Sequence, residues 1–383
     1  MNFGGRFLEH YLDNSATTVV SQKAAEKAFE VMLKCYGNPS SLHAKGLEAE
    51  KELELARNLI ARAIGCESDR LFFTSGGTEA NNTAVFGACQ ALKKRGNKIV
   101  VSAVEHSSVL EAVKELENRG FSAEYIAPEK DGIIPPQKVA DAVDDSTVLV
   151  SVMTTNNELG AVNDISAVVK AVRKKKSSVI IHTDAVQAFG KIPVKAKKSD
   201  VDLLTVSAHK IHGPKGVGAL YIKKGVRIVP LHFGGEQEKK IRPGTEALPL
   251  ICAFGEAVGE FNIDENYQKV KELSLYAREK LSAIGGVVIN SGDNALPYIL
   301  NISVRGIRSE TMLHYLEQNE IYVSSGSACA KGKPSHVLSA VGINRDLADS
   351  ALRISFSKFN NKGDIDALAE FIEKGCKSLV KKI

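Results

Sequence analysis

Short apolar runs rich in β-branched residues alternate with longer amphipathic stretches through the first part of the chain. LFFT (71–74), KIVVSA (98–103), SAEYIA (122–127), TVLVSVM (147–153), SVIIHTD (178–184), DLLTVS (202–207) and VGALYIK (217–223) predict seven strands. Most of these runs are continuously apolar rather than alternating, as strands covered on both faces are. Between them lie helix-length segments such as EANNTAVFGACQALKKRG (79–96) and SSVLEAVKELENRG (107–120), each ending at a glycine suited to a C-cap. The alternation predicts an α/β fold with a mostly parallel seven-stranded sheet.

The rhythm changes after residue 230. FGGEQEKKIRPGTEALP (233–249) reads as a loop, and a long helical stretch is predicted from about Leu250 to Ile284. GVVINS (286–291), PYILNISV (297–304), IYVSS (321–325) and LRISFS (352–357), with helices between them, predict a smaller α+β unit. The expected division is a large domain over 16–255 and a small one built from 1–15 and 256–383. The small domain carries a Gly/Ser/Lys-rich loop at about 323–336.

Composition narrows the function classes. With 44% hydrophobic and 25% charged residues the chain is an ordinary globular protein. No apolar run reaches the ~18 residues of a membrane helix. The start, MNFGGRFLEHYLDN, lacks the pattern of a secretory signal, so a cytoplasmic location is expected. A net charge of +5 over 383 residues is modest, and RKKK (173–176) reads as a solvated helix face, so no direct nucleic-acid role is expected. Cys35, Cys66, Cys89, Cys252, Cys329 and Cys376 are widely spaced without a C-x-x-C pair, which argues against a disulfide framework or a zinc site. Five of them have apolar helical surroundings. Cys329, in VSSGSACAKGKPSHVL (323–338), has none, and a thiol placed there calls for a chemical reason.

Ligands of open α/β sheets bind beyond the carboxyl ends of the strands. There, Ser75-Gly76-Gly77-Thr78 offers a helix N-terminus that serves equally as a plain cap or a phosphate site. Asp184 ends an apolar strand, either as an N-cap or as a carboxylate holding a cationic ring nitrogen. Lys210 follows another strand, with Ser207, His209 and His212 nearby. His209 and His212 lack the spacing of a metal site. His106 follows a further strand, as a helix-start residue or as an imidazole catalyst. Each signal alone is weak, but together they bring a phosphate cradle, an acid, a lysine and an imidazole to one crevice. Pyridoxal 5'-phosphate requires this set: a Schiff-base lysine, an acid at the pyridinium nitrogen and held phosphate oxygens. A lysine in a partly desolvated site also loses its proton more readily.

The motifs YLDNSATT (11–18), YGNPSSLH (36–43), SGGTEANN (75–82), VEHSSV (104–109), NNELG (156–160), HTDAVQAFGK (182–191), SAHKIHGPKGVGALY (207–221), RPGTE (242–246), SSGSAC (324–329) and LRISF (352–356) run nearly end to end. In them the chain resembles the cysteine desulfurases of iron–sulfur assembly and nitrogen fixation, in the class V aminotransferase group of fold-type I pyridoxal phosphate enzymes. The resemblance implies that Lys210 carries the cofactor, Asp184 pairs with its ring nitrogen, Gln187 bonds its ring hydroxyl and His106 stacks on the ring and moves protons. It places Gly77, Thr78, Ser207 and His209 at the phosphate, with Thr245 reaching it from the other subunit of a homodimer. Arg353 and Asn157 match substrate positions, Arg353 as a clamp for the carboxylate of L-cysteine, and Asn38 falls in a matching motif. The thiolate of Cys329 would take the substrate's sulfur, leaving L-alanine and an enzyme persulfide for an acceptor protein, an iron–sulfur scaffold or a tRNA-thiolation enzyme. Lys331 and Lys333 would favour that thiolate. The same residues also suit a selenocysteine lyase or another enzyme of the fold. A non-catalytic phosphate-binding module on the Gly77–Thr78 turn is a rival of a different class. The loop cysteine argues against an aminotransferase, which has no use for it.

Overall fold

All seven predicted runs pair into a single sheet. The computed structural model describes residues 9–325 and 335–379. Its large-sheet strands are Leu71–Thr74, Lys98–Ser102, Ser122–Ile126, Thr147–Ser151, Ile180–Asp184, Leu203–Ser207 and Gly218–Ile222. Across the sheet their order is 71–74, 218–222, 203–207, 180–184, 147–151, 98–102, 122–126. Gly218–Ile222 is antiparallel to both its neighbours, and the other adjacent pairs are parallel.

Successive strand residues point to opposite faces. Leu71, Phe73, Val100, Ile181 and Val206 therefore enter one core layer, and Phe72, Ile99, Val101, Leu203 and Leu220 the other. Helices cover both layers, which is why the runs lack polar alternation. Ser122–Ile126 differs because it lies at the sheet edge, where Ser122, Glu124 and Tyr125 are exposed.

The two predicted glycine caps have different fates. After the helix Ser107–Asn118, Gly120 takes a φ of 88°, and the N–H groups of Gly120 and Phe121 return to the carbonyls of Glu117 and Leu116. The helix Gly77–Leu92 stops short of Gly96. A Cβ on Gly96 would lie 2.1 Å from the Ser146 carbonyl oxygen, so close backbone approach, not capping, demands glycine there.

The single long helix expected near 250–284 is two helices, Leu248–Gly259 and Ile263–Ser282. Phe261, in the break, packs edge-on against Phe189 with ring centroids 5.3 Å apart. The first helix packs on Gln22–Lys34 and Ala44–Ile64, the second on the C-terminal helix Lys362–Ser378. The break lets each serve a different core.

A second, antiparallel sheet is formed by Ser324–Ser325, Ala351–Ser355, Ile299–Val304 and Val287–Ile289, in that order. The N-terminal segment runs beside it: His10–Tyr11 pairs with Ile321–Tyr322 in a separate two-stranded sheet, and Asn14 donates to the Ser355 carbonyl at 2.9 Å.

The 233–249 loop holds a constraint that its composition does not show. Glu238, Lys239 and Lys240 all have positive φ (46°, 52° and 67°), sparsely populated for such residues. The buried Glu238 carboxylate fixes the turn by accepting from both terminal nitrogens of Arg57, at 2.6 and 3.1 Å, and from Phe73 N at 2.8 Å.

Candidate active site

The carboxyl ends of the parallel strands converge on one cavity of about 440 Å³, within the ~300–1,000 Å³ typical of small-molecule sites. Leu71–Thr74 leads to Gly77 and Thr78, Lys98–Ser102 to His106, and Thr147–Ser151 to Asn157. Ile180–Asp184 supplies Asp184 and Gln187, and Leu203–Ser207 supplies Ser207, His209 and Lys210. Arg353 from the smaller sheet and Asp13, Ser15 and Ala16 from the N-terminal segment complete the wall. Ten of the sequence-named residues thus meet in one place: Gly77, Thr78, His106, Asn157, Asp184, Gln187, Ser207, His209, Lys210 and Arg353.

Asn38 and Thr245 do not line this cavity, and both are exposed. The Asn38 carboxamide oxygen closes a local turn by accepting from Ser40 N at 2.9 Å. Cys329 lies outside the described residues.

Asp184 is buried, and both its oxygens are held. Oδ1 accepts from Val186 N at 2.9 Å in a turn, and Oδ2 accepts from Asn81 Nδ2 at 2.7 Å. A turn rather than a helix follows it, so Asp184 is not a helix cap. His106, by contrast, caps the helix Ser107–Asn118, its Nδ1 accepting from Ser108 N at 3.1 Å. That bond leaves the ring proton of the neutral imidazole on Nε2. Burial holds the His106 pKa below its ordinary value, against the pull of Asp184.

Lys210 Nζ donates to the carbonyls of Ser15 and Ala16, both at 2.6 Å. His209 contacts Thr17 Oγ1 at 3.3 Å, and burial, aided by Lys210, pushes it down to about 4. Arg353 spreads its fork between the Asp13 carboxylate (Nη2, 2.8 Å) and the Asn157 carbonyl (Nη1, 3.2 Å). The hydroxyl of Ser207 and the Nε of Arg353 are buried without a hydrogen-bond partner among the described residues.

Several cavity residues were not singled out by sequence reasoning. Asn81 lies one helical turn beyond Thr78 and holds Asp184, while Ser108 accepts a second bond from Asn81 at 2.9 Å. Glu158 also lines the cavity; its oxygen accepts from Ser335 at 2.5 Å, and burial raises its pKa to about 7. Asn81 sits within the SGGTEANN motif and Glu158 within NNELG. The signal for Asn81 was the three-residue spacing from Thr78, which stacks both on one helix face.

The aminotransferase class-V family model matches residues 10–368 of the chain. The chain belongs to the class V aminotransferase family. Within it, the chain is 40% identical to cysteine desulfurase IscS of Dictyoglomus turgidum over 376 residues, covering 96% of this chain and 95% of that one. It is 38% identical to cysteine desulfurase IscS of Methanosarcina thermophila, covering 94% and 90%. Among solved structures, a NifS-like protein superimposes with a TM-score of 0.93 at 35% identity, covering 97% of this chain and all of that one. SspA in complex with cysteine superimposes with a TM-score of 0.82 at 31% identity, covering 92% and 99%. The fold is therefore that of the NifS-like proteins, as the resemblance implied, and the seven-stranded sheet is the one the strand pattern predicted.

Proposed function

We propose that this chain is a cysteine desulfurase that uses pyridoxal 5'-phosphate, converting L-cysteine to L-alanine and moving the sulfur to Cys329 as a persulfide. The observation that carries this reading is the meeting of Lys210, Asp184, Ser207 and Arg353 in one cavity. The residues suit the cofactor on their own chemistry. The buried Ser207 hydroxyl has no hydrogen-bond partner among the described residues and lines the cavity with Gly77 and Thr78, at the start of the helix Gly77–Leu92. Those groups offer an anionic phosphate a hydroxyl donor and helix N–H groups. A side chain in place of Gly77 would put its Cβ 3.1 Å from Val186 Cγ2, so the approach is kept close and bare. Bound there, pyridoxal phosphate supplies an imine-forming aldehyde and an electron-accepting ring.

The chain's own groups then have distinct tasks. Lys210 supplies the amine, and its bonds to the Ser15 and Ala16 carbonyls hold it at the wall beforehand. Asp184, fixed by Asn81 and Val186, would hold a proton on the ring nitrogen. Gln187, which lines the cavity, would bond the ring hydroxyl. His106, kept largely neutral by burial, accepts and returns protons through Nε2. Arg353 takes the substrate carboxylate, its orientation set by Asp13 and the Asn157 carbonyl. The substrate's carbon–sulfur bond breaks as a sulfur–sulfur bond forms at Cys329, so L-cysteine and the enzyme thiol give L-alanine and the persulfide.

We further propose a homodimer in which Thr245 serves the partner's site, a cytoplasmic location, and an acceptor protein for the persulfide sulfur. The division into 16–255 and the flanking small domain follows from the same reading. No helix among the described residues is long and apolar enough to cross a membrane.

The test gives purified protein L-cysteine and a thiol reductant, then quantifies alanine and sulfide, with Cys329→Ala alongside. Equal alanine and sulfide from the wild type, and almost none from the variant, is the expected result. Product from both proteins would assign sulfur release without Cys329, as in a lyase. No alanine from either would overturn the reading.

A further inference from the structure

Lys191 is a buried lysine that none of these tasks uses. It is 5% exposed and follows Gln187 by four residues in the turn after the strand Ile180–Asp184. A buried ammonium needs compensating contacts, and the structure gives two. Nζ donates to Gln187 Oε1 at 2.9 Å and lies 5.7 Å from the Tyr298 ring centroid. Lys210 and Arg353 face it electrostatically, and Glu260 lines the small cavity on which it borders. Burial, with those two cations, pushes its amine down to about 7. An amine donates N–H in either charge state, so its bond to Gln187 survives that shift.

The consequence lies in the Gln187 amide. Its Nε2 donates to the Ser15 carbonyl at 2.9 Å while its Oε1 accepts from Lys191. A backbone carbonyl can only accept, so the Ser15 bond sets which end of the amide is which, and the Lys191 ammonium, which can only donate, holds the other end in the same sense. Nε2 carries a second hydrogen, which the Ser15 bond leaves for the cavity that Gln187 lines.

We propose that Lys191 is a positioning residue that, through Gln187, commits this amide to donating a hydrogen bond into the cavity, toward the ring hydroxyl oxygen of the bound cofactor. The proposal rests on the reading of the cavity as a pyridoxal phosphate site. A donor at that oxygen favours its anionic form, whose charge is most exposed once the neighbouring imine nitrogen has lost its proton. The donor therefore lowers the pH at which that proton leaves. With Lys191 removed, Oε1 faces an apolar group and the amide loses half of its lock.

The experiment titrates the visible absorption of pyridoxal phosphate-loaded full-length protein with pH. A yellow wild type and a Lys210→Ala variant without the band establish the cavity reading independently of Lys191. Lys191→Met is expected to raise the midpoint by about one pH unit, the worth of one hydrogen bond to a charged group. Gln187→Ala is expected to raise it in the same direction, and the double variant no further than Gln187→Ala alone. Lys191→Gln, which can accept as well as donate, releases the same constraint and serves if the methionine variant does not fold. A yellow Lys191 variant with the wild-type midpoint overturns the role of Lys191 alone. So does a shift that persists undiminished in the Gln187→Ala background, since it would act through charge and not through the amide. A wild type that takes up no cofactor removes the cavity reading, and the role of Lys191 with it.

Discussion

Glu238→Ala tests how the strained turn at 237–240 is held. The Glu238 side chain is 2% exposed and that of Arg57 11%, so both charges have been taken out of water. The substitution removes three bonds to the carboxylate, two from Arg57 and one from Phe73 N. Arg57 keeps its bond to the Leu71 carbonyl, its Glu54 contact and its place 4.7 Å over the Phe73 ring, but loses its buried counter-charge. Removing one partner of a buried pair costs about 3–5 kcal/mol. The contacts left to the turn, such as Lys239 Nζ to the Asp69 carbonyl at 2.9 Å and Gly244 N to Gln237 Oε1 at 3.1 Å, are exposed, so part of the strain at Glu238, Lys239 and Lys240 is relieved and the lower end of that range applies. Scaled to this chain length, the loss corresponds to a fall in Tm on the order of 5 °C. Thermal melting of the wild type, Glu238→Ala, Arg57→Met and the double variant forms the assay. The double variant is expected to cost clearly less than the sum of the singles, because no orphaned charge remains. A Glu238→Ala protein melting with the wild type, or strictly additive costs, would refute the argument that this pair holds the turn.

Three further outcomes follow from the site. Glu105 is fully buried, and burial with the nearby Asp184 raises its pKa to about 8 from an ordinary 4.5. A raised carboxyl favours folding at low pH and loses that contribution as pH climbs from about 4.5 to 8. Glu105→Gln should therefore match wild-type stability near pH 4 and exceed it by on the order of 2–4 kcal/mol near pH 8; a gap independent of pH in denaturation curves would count against this. Asn81→Ala removes the donor at Asp184 Oδ2 and should weaken pyridoxal phosphate binding roughly 10–100-fold, read by absorbance titration; unchanged affinity would show that Asp184 needs no such support. Arg353→Lys keeps the charge but loses the fork, so KM for L-cysteine should rise about 10–100-fold with a smaller change in kcat, and an unchanged KM would rule out the carboxylate clamp.

Much of this protein was legible along the chain because parallel strands buried on both faces leave an uninterrupted apolar trace. That trace located LFFT, IIHTD and DLLTVS, and strand ends then pointed to Thr78, Asp184 and Lys210. These are local facts: a run, its end, and the reactive residue just beyond. SAEYI was legible as a strand despite the polar positions its edge place allows, and the break at Glu260–Asn262 was hidden because no proline interrupts the run from Leu250 to Ile284. Gly96 looked like a cap because the Ser146 backbone that excludes a side chain lies fifty residues further on.

The sequence by itself determined the α/β class, the strands and the reactive groups at their ends, since each depends on neighbours within a few residues. Only the tertiary structure decided which groups act on one another. Asn81 holds Asp184 across 103 positions, Asp13 pairs with Arg353 across 340, and Arg57 meets Glu238 across 181. Chain folding sets these distances, and no local periodicity records them. The assignment of Lys191 to Gln187 is the mixed case: four residues apart in sequence, they form a donor–acceptor pair only because the turn after Asp184 buries both and the Ser15 carbonyl arrives from the N-terminal segment, 172 positions away.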